Sequence, residues 1–116
     1  MKDPITDILD FWFLPKDHPD HGKARDIWWR STPAFDEEIR RRFGDLIRDA
    51  VKGKLAAWAE TAEGALALII LCDQFTRNIY RKSPDAYCGD PTALETARLA
   101  VARGFHMTVP RDVRTF

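Results

Sequence analysis

An all-α fold follows from three features of this 116-residue chain. Residues that cap helices stand directly before proline at Asp3-Pro4, Thr32-Pro33, Ser83-Pro84 and Asp90-Pro91. That pairing starts helices, because proline at the first helical position loses no hydrogen bond there. Apolar residues from Phe35 to Val51 return every three or four positions, the period of one helical face. No stretch alternates with period two, and neither Asn-Gly nor Asp-Gly occurs to turn a hairpin. The predicted architecture is a set of helix pairs packed antiparallel through short links.

The first helix runs from the Asp3-Pro4 start through Ile5, Ile8, Leu9, Phe11, Trp12 and Phe13, and stops before Pro15. Residues 14 to 23 mix Pro15, Pro19 and Gly22 with charges, a loop composition. A short segment from Ala24 to Arg30 carries the Trp28-Trp29 pair, whose rings point about 100° apart if helical, so only one of them enters the core. After Thr32-Pro33, Phe35, Ile39, Phe43, Leu46, Ile47, Ala50 and Val51 form the clearest amphipathic helix, with Gly53 as its stop. Residues 54 to 60 read as a short turn of helix presenting Leu55 and Trp58, and Thr61 is the cap of the central helix.

That central helix is the most informative stretch, Gly64 to Arg81. Nothing polar interrupts it from Ala65 to Cys72, so its first two turns belong inside the molecule. Beyond Leu71 it becomes densely polar. On a helical wheel Leu66, Ile70, Asp73, Gln74, Arg77, Asn78 and Arg81 share one arc of roughly 140°, with Leu68, Leu71, Cys72, Phe75 and Ile79 opposite. The last full helix is expected at Ala93 to Arg103, with Leu94, Ala97 and Val101 inward and Gly104 as its stop.

The composition, 45% apolar and 31% charged, is that of one globular domain over residues 1–116. A formal net charge of zero gives no attraction to nucleic acid or an anionic membrane. The Arg40-Arg41-Arg42 run follows Asp36, Glu37 and Glu38, an order that suits Asp36–Arg40 and Glu38–Arg42 pairs on a solvated face. No apolar run nears the ~20 residues that cross a bilayer. The start of the chain has no leader-like block, and two cysteines make no disulfide framework, so a cytoplasmic setting with reduced thiols is expected.

Leu9-Asp10-Phe11-Trp12-Phe13, Trp28-Trp29, Phe35-Asp36, Ile39-Arg40 and Phe43-Gly44 form one set of landmarks. With Ala65-Leu66-Ala67-Leu68 and the string Leu71-Cys72-Asp73-Gln74-Phe75-Thr76-Arg77-Asn78-Ile79-Tyr80-Arg81, they resemble a bacterial family known as domain of unknown function 924. The resemblance covers essentially the whole chain. It implies a helical fold similar to tetratricopeptide repeats, an α-α superhelix, and no particular activity. It also implies that members continue past Arg114-Thr115-Phe116 into an aromatic segment and further helices. The chain is therefore expected to be the N-terminal part of a longer family domain, truncated at its C-terminal end. An apolar surface meant for those helices would then be exposed or covered by a second copy, giving self-association.

Two roles are open to the polar arc. As a structural network, Asp73 and Arg77 pair four residues apart, and losing one partner of such a buried pair costs about 3–5 kcal/mol. As a ligand site, Arg77 and Arg81 form a cationic ridge and Gln74 and Asn78 add amides. Tyr80 or a tryptophan of the Trp28-Trp29 pair then supplies a flat wall for a carboxylate or phosphate. His18 and His21 sit in a proline-containing loop with no second cluster, so no metal is expected. Ser31 and Ser83 read as helix starts, Cys72 as buried, and Cys88 has no histidine close in sequence. Neither a glycine-rich phosphate loop nor a dinucleotide fingerprint is present, and ion-paired Asp73 makes a poor general base near neutrality. The sequence therefore gives no catalytic residue and no cofactor, and leans away from an enzyme. Two functions remain: a helical interaction module that binds a peptide or protein partner, and a protein or enzyme binding a small acidic ligand through Arg77 and Arg81.

Overall fold

The Asp3-Pro4, Thr32-Pro33 and Asp90-Pro91 starts each open a helix in the computed structural model, which describes residues 3–15, 17–21, 23, 25–28, 32–80 and 88–104 and so leaves Ser83-Pro84 outside. Helix α1 spans Pro4–Phe13, with the Asp3 carboxylate accepting from the Thr6 amide at 3.0 Å. Helix α2 spans Pro33–Val51, and Thr32 caps it by accepting from the Phe35 amide. Gly53 closes α2 in the left-handed region at φ 82, where a side chain would be strained. A 3-10 turn, Ala56–Glu60, leads to Thr61, which caps α3, Ala62–Ile69, by accepting from the Gly64 amide. Beyond α3 the rod continues through a wider turn, Ile70–Phe75, into α4, Thr76–Ile79. Helix α5 spans Asp90–Ala102, and Gly104 follows it at φ 75. No strand occurs among the described residues, and the fold is all-α. Among the same residues no helix is long and apolar enough to cross a membrane.

The central rod is not one regular α-helix. Its backbone stays helical from α3 onward, but Ile70–Phe75 is wound as a π-turn before α4 resumes the α pattern. The wider turn accommodates one additional residue. Side chains one turn later engage its carbonyls: the Thr76 hydroxyl donates to Cys72 O at 2.9 Å, and the Arg77 guanidinium donates to Asp73 O. Periodicity gives no notice of this turn, because residues Ala65 to Cys72 are apolar all round and show no face to lose.

Leu68, Ile70, Leu71, Cys72 and Phe75 are all buried, as expected of a rod enclosed at this level. Phe75 is the centre of an aromatic cluster. It stacks on Phe43 at 5.3 Å and meets Trp12 and Phe11 edge-on at 5.6 and 6.0 Å, while Phe11 stacks on Phe35 at 5.0 Å. Each such ring removed from water contributes about 1.5–3 kcal/mol. This cluster locks α1 and α2 against the π-turn. The α1–α2 and α2–rod pairs are antiparallel: Asp7 meets Arg42 while Phe11 meets Phe35, and Phe43 meets Phe75 while Asp36 meets Asn78. Helix α5 likewise runs back along the rod, from Gly89 against Cys72 to Arg103, which donates to Ala59 O at 2.5 Å.

The C-terminus of α1 is stopped by Leu14 at φ 73, and its last carbonyls are taken by side chains from further along. Arg25 donates to Phe11 O and Trp12 O at 3.1 and 2.8 Å, and the Trp28 indole donates to Trp12 O at 2.9 Å. A cation there complements the negative end of the helix dipole. Burial lowers the Arg25 pKa from its ordinary value, yet leaves the group cationic near neutrality.

Two expectations are corrected. Leu94 and Val101 do not face inward: they are 66% and 58% exposed, and the inner face of α5 is made by Ala93 and Thr96. Small inner residues let α5 lie close to α3, which turns its larger aliphatics outward. The arginine run is not merely solvated either. Asp36 is buried and accepts from Asn78 instead of pairing with Arg40, which reaches Glu37 and the Ile79 carbonyl. Arg42 reaches Asp7 at 2.7 Å and covers the Phe11 and Phe43 rings, with Glu38 only at 3.9 Å.

Candidate functional site

The polar end of the rod divides in two where the helical wheel draws a single arc. Asn78 turns toward α2 and donates to Asp36 at 2.8 Å, both residues being buried. This pair joins segments 42 positions apart in sequence and is structural. Asp73 and Arg77 turn toward α5. The Arg77 guanidinium lies between two carboxylates, donating to Asp73 Oδ1 through Nη1 and to Asp90 through Nη2 at 3.2 and 3.4 Å. Gln74 donates to the other oxygen of Asp73. Asp73 and Arg77 meet as their spacing predicts. Asp90, read from the sequence as part of a helix start, instead supplies the third member, and the backbone of Gly89 takes the cap position without a side-chain bond.

Of the other residues assigned to this site, Trp28 lies in the core, parallel to Trp12 at 5.9 Å and edge-on to Phe13 at 5.6 Å. It is a wall of the α1 packing rather than of the polar cluster. Tyr80 is half-buried against the core. Trp29 and Arg81 lie outside the described residues, as do Ser31, Ser83 and His106. Asp36 and Asp90 are the members that sequence reasoning missed. Neither carries a local signal, since each finds its partner across a helix interface.

Beside the cluster lies an open groove of ≈ 620 Å³ between the rod and α5. Among the described residues its walls are the apolar Ile69, Pro91, Ala93, Leu94 and Ala97, and its polar residues are Asp73 and Asp90. Because α5 runs antiparallel to the rod, both carboxylates stand at the same end. The groove is therefore aliphatic along most of its length and acidic at its mouth. Among the described residues, two carboxylates to one guanidinium leave that end negative, which favours a cation over an anion. Among the described residues no group of three or more His, Cys, Asp and Glu is arranged to hold a metal.

A solved structure of a protein of unknown function from Agrobacterium tumefaciens is similar to this chain, with 38% identity and a TM-score of 0.82. The similarity covers 95% of this chain and 58% of that one, so the chain spans less than two thirds of that relative's length. No curated protein matches it. The family model described as "Bacterial protein of unknown function (DUF924)" matches residues 8–116. With its Asp-Gln-Phe-Thr-Arg-Asn rod and antiparallel helices, the chain belongs to that bacterial family.

Proposed function

We propose that this chain is a helical interaction module whose groove between the rod and α5 receives an amphipathic helical segment of a partner protein. The observation that carries this reading is the outward placement of Leu94 beside an aliphatic trough. Leu94 is 66% exposed, Val101 is 58% exposed further along the same helix, and Ile69, Pro91 and Ala97 continue the apolar surface. Apolar anchors from one helix seated in such a trough are a recurrent recognition mode. The acidic mouth sets the partner's chemistry: the incoming helix carries a lysine or arginine where it passes Asp73 and Asp90. Charge complementarity of this kind chiefly fixes orientation and partner choice. Part of the Agrobacterium relative lies beyond the matched region, and a segment of that kind, supplied by another chain, is a natural occupant.

The small acidic ligand has less support, because the Arg77 guanidinium is already shared by two carboxylates. The test uses labelled synthetic helices with a Leu/Ala face and either lysine or glutamate at one end, with binding read by fluorescence anisotropy. The lysine helix binds the wild type, binds the Leu94→Glu variant at least tenfold more weakly, and outcompetes the glutamate helix. Equal binding of both helices, or binding that Leu94→Glu leaves intact, overturns the reading. Concentration-dependent sedimentation of the wild type, abolished by Leu94→Glu without peptide binding, replaces the partner helix with a second copy of the chain.

A further inference from the structure

The close approach of α5 to the π-turn has a chemical corollary that does not depend on the groove's occupant. A methyl group on Gly89 would stand 2.3 Å from the carbonyl oxygen of Cys72 and 2.8 Å from its Cα, so the two backbones are in direct contact. Cys88 is the adjacent residue in the chain. Adding one Cα–Cα step of about 3.8 Å places the Cα of Cys88 within roughly 8 Å of that of Cys72. Disulfides span Cα separations of roughly 4.4–6.8 Å, a range that lies within this bound. Cys88 is exposed, Cys72 is fully buried, and both are thiols in this structure.

We propose that Cys72 and Cys88 form a modification site, a reversible intramolecular disulfide that closes when the chain meets hydrogen peroxide. The exposed thiolate of Cys88 attacks one peroxide oxygen. The O–O bond breaks, the second oxygen leaves as hydroxide and takes up a proton as water, and Cys88 becomes a sulfenic acid. The sulfur of Cys72 then attacks the sulfur of Cys88, the S–O bond breaks, and the departing hydroxide takes the Cys72 proton as a second water. Two thiols are oxidised and one peroxide is reduced. The division of labour follows from burial. Desolvation, then the neighbouring Cys88 and Asp73, push the Cys72 thiol up to about 12, which leaves the exposed Cys88 as the sulfur that meets peroxide first. Once closed, the bond fixes the start of α5 to the π-turn.

The experiment treats the native chain with hydrogen peroxide, quenches with a thiol-blocking reagent, and reads intact mass and non-reduced tryptic peptides. Arg77, Arg81 and Lys82 separate the two cysteines, so the linked peptides are distinguishable from the unlinked ones. The expected product has lost two hydrogen atoms, joins the Cys72 and Cys88 peptides, and reverts with a phosphine reductant. Cys88→Ser blocks it, and Cys72→Ser leaves Cys88 carrying added oxygen. Oxygen addition at Cys88 in the wild type with no link to Cys72, or a Cys88–Cys88 dimer as the sole disulfide, overturns the proposal. So does a link that forms only in denaturant.

Discussion

Replacing Gly89 by alanine tests the packing on which both the groove and the cysteine pair depend. The added methyl would meet Cys72 O at 2.3 Å, Cys72 Cα at 2.8 Å and the Cys72 carbonyl carbon at 2.9 Å, all backbone atoms. Ordinary carbon contacts lie at roughly 3.5–4.0 Å, so α5 has to lift from the rod by about 1 Å. The rod cannot yield easily, because Phe75, in the same π-turn, is held among Phe11, Trp12 and Phe43. Overpacking of this kind costs about 1–3 kcal/mol. Gly89 sits at φ −92, ψ −4, which alanine adopts without strain, so about 0.4–1 kcal/mol returns through the stiffer unfolded chain. The net loss, about 0–2.6 kcal/mol with a midpoint near 1.3, lowers Tm by roughly 5 °C at that midpoint for a domain of this size. Gly44→Ala is the control. Its methyl meets nothing closer than an Arg48 nitrogen at 3.7 Å, and alanine inside α2 gains about 0.5–1 kcal/mol. Thermal melts followed by far-ultraviolet circular dichroism should move the two variants in opposite directions. A Gly89→Ala protein melting at or above the wild type refutes the close contact between α5 and the π-turn.

Other consequences rest on single contacts. Asp36→Ala and Asn78→Ala each lose about 1–3 kcal/mol, and a double-mutant cycle in urea should return a coupling of about 0.5–3 kcal/mol, because both residues are buried against each other. Additive losses would mean that the pair is not formed. Arg25→Ala removes the donor shared by the Phe11 and Trp12 carbonyls, and should raise hydrogen exchange in the last turn of α1 while leaving α5 unchanged. The Asp3 pKa is lowered by the Thr6 hydroxyl first and the Thr6 amide next. A carboxyl with a depressed folded-state pKa adds stability above its unfolded pKa, and this is lost as pH falls through the folded value. Acid titration of Tm should therefore show a component below about pH 4 that disappears in Asp3→Ala, and an identical profile in that variant would remove Asp3 as its source.

The readable part of this molecule is local. Asp3, Thr32 and Thr61 announce their helices because a cap bonds an amide only three residues on. The rhythm from Phe35 to Val51 gives the buried face of α2 because one helix side packs on one core. What escapes is whatever depends on a neighbour far along the chain. Asp36 looks like a surface acid until Asn78 arrives, and Asp90 looks like a cap until Arg77 reaches it. Hydrophobic size, taken alone, turns helix α5 the wrong way. Close packing against α3 selects Ala93 and Thr96 for its inner face, and size then marks the side left outside. The π-turn has no compositional signature at all, since its residues would suit an ordinary helix.

That turn makes the register of the whole distal half a matter of one residue. Rewinding Ile70–Phe75 as an ordinary α-helix with every residue kept would pass the extra residue on to the distal half instead of absorbing it in the wide turn. It would also rotate everything after Phe75 by roughly 100° about the axis. Asn78 would swing away from Asp36, and Arg77 away from Asp90, without either residue having been changed. The chain carries its bonds to α2 and α5 through a count of residues as much as through their identity, so a second inserted residue here should be less tolerated than a single deletion that closes the wide turn.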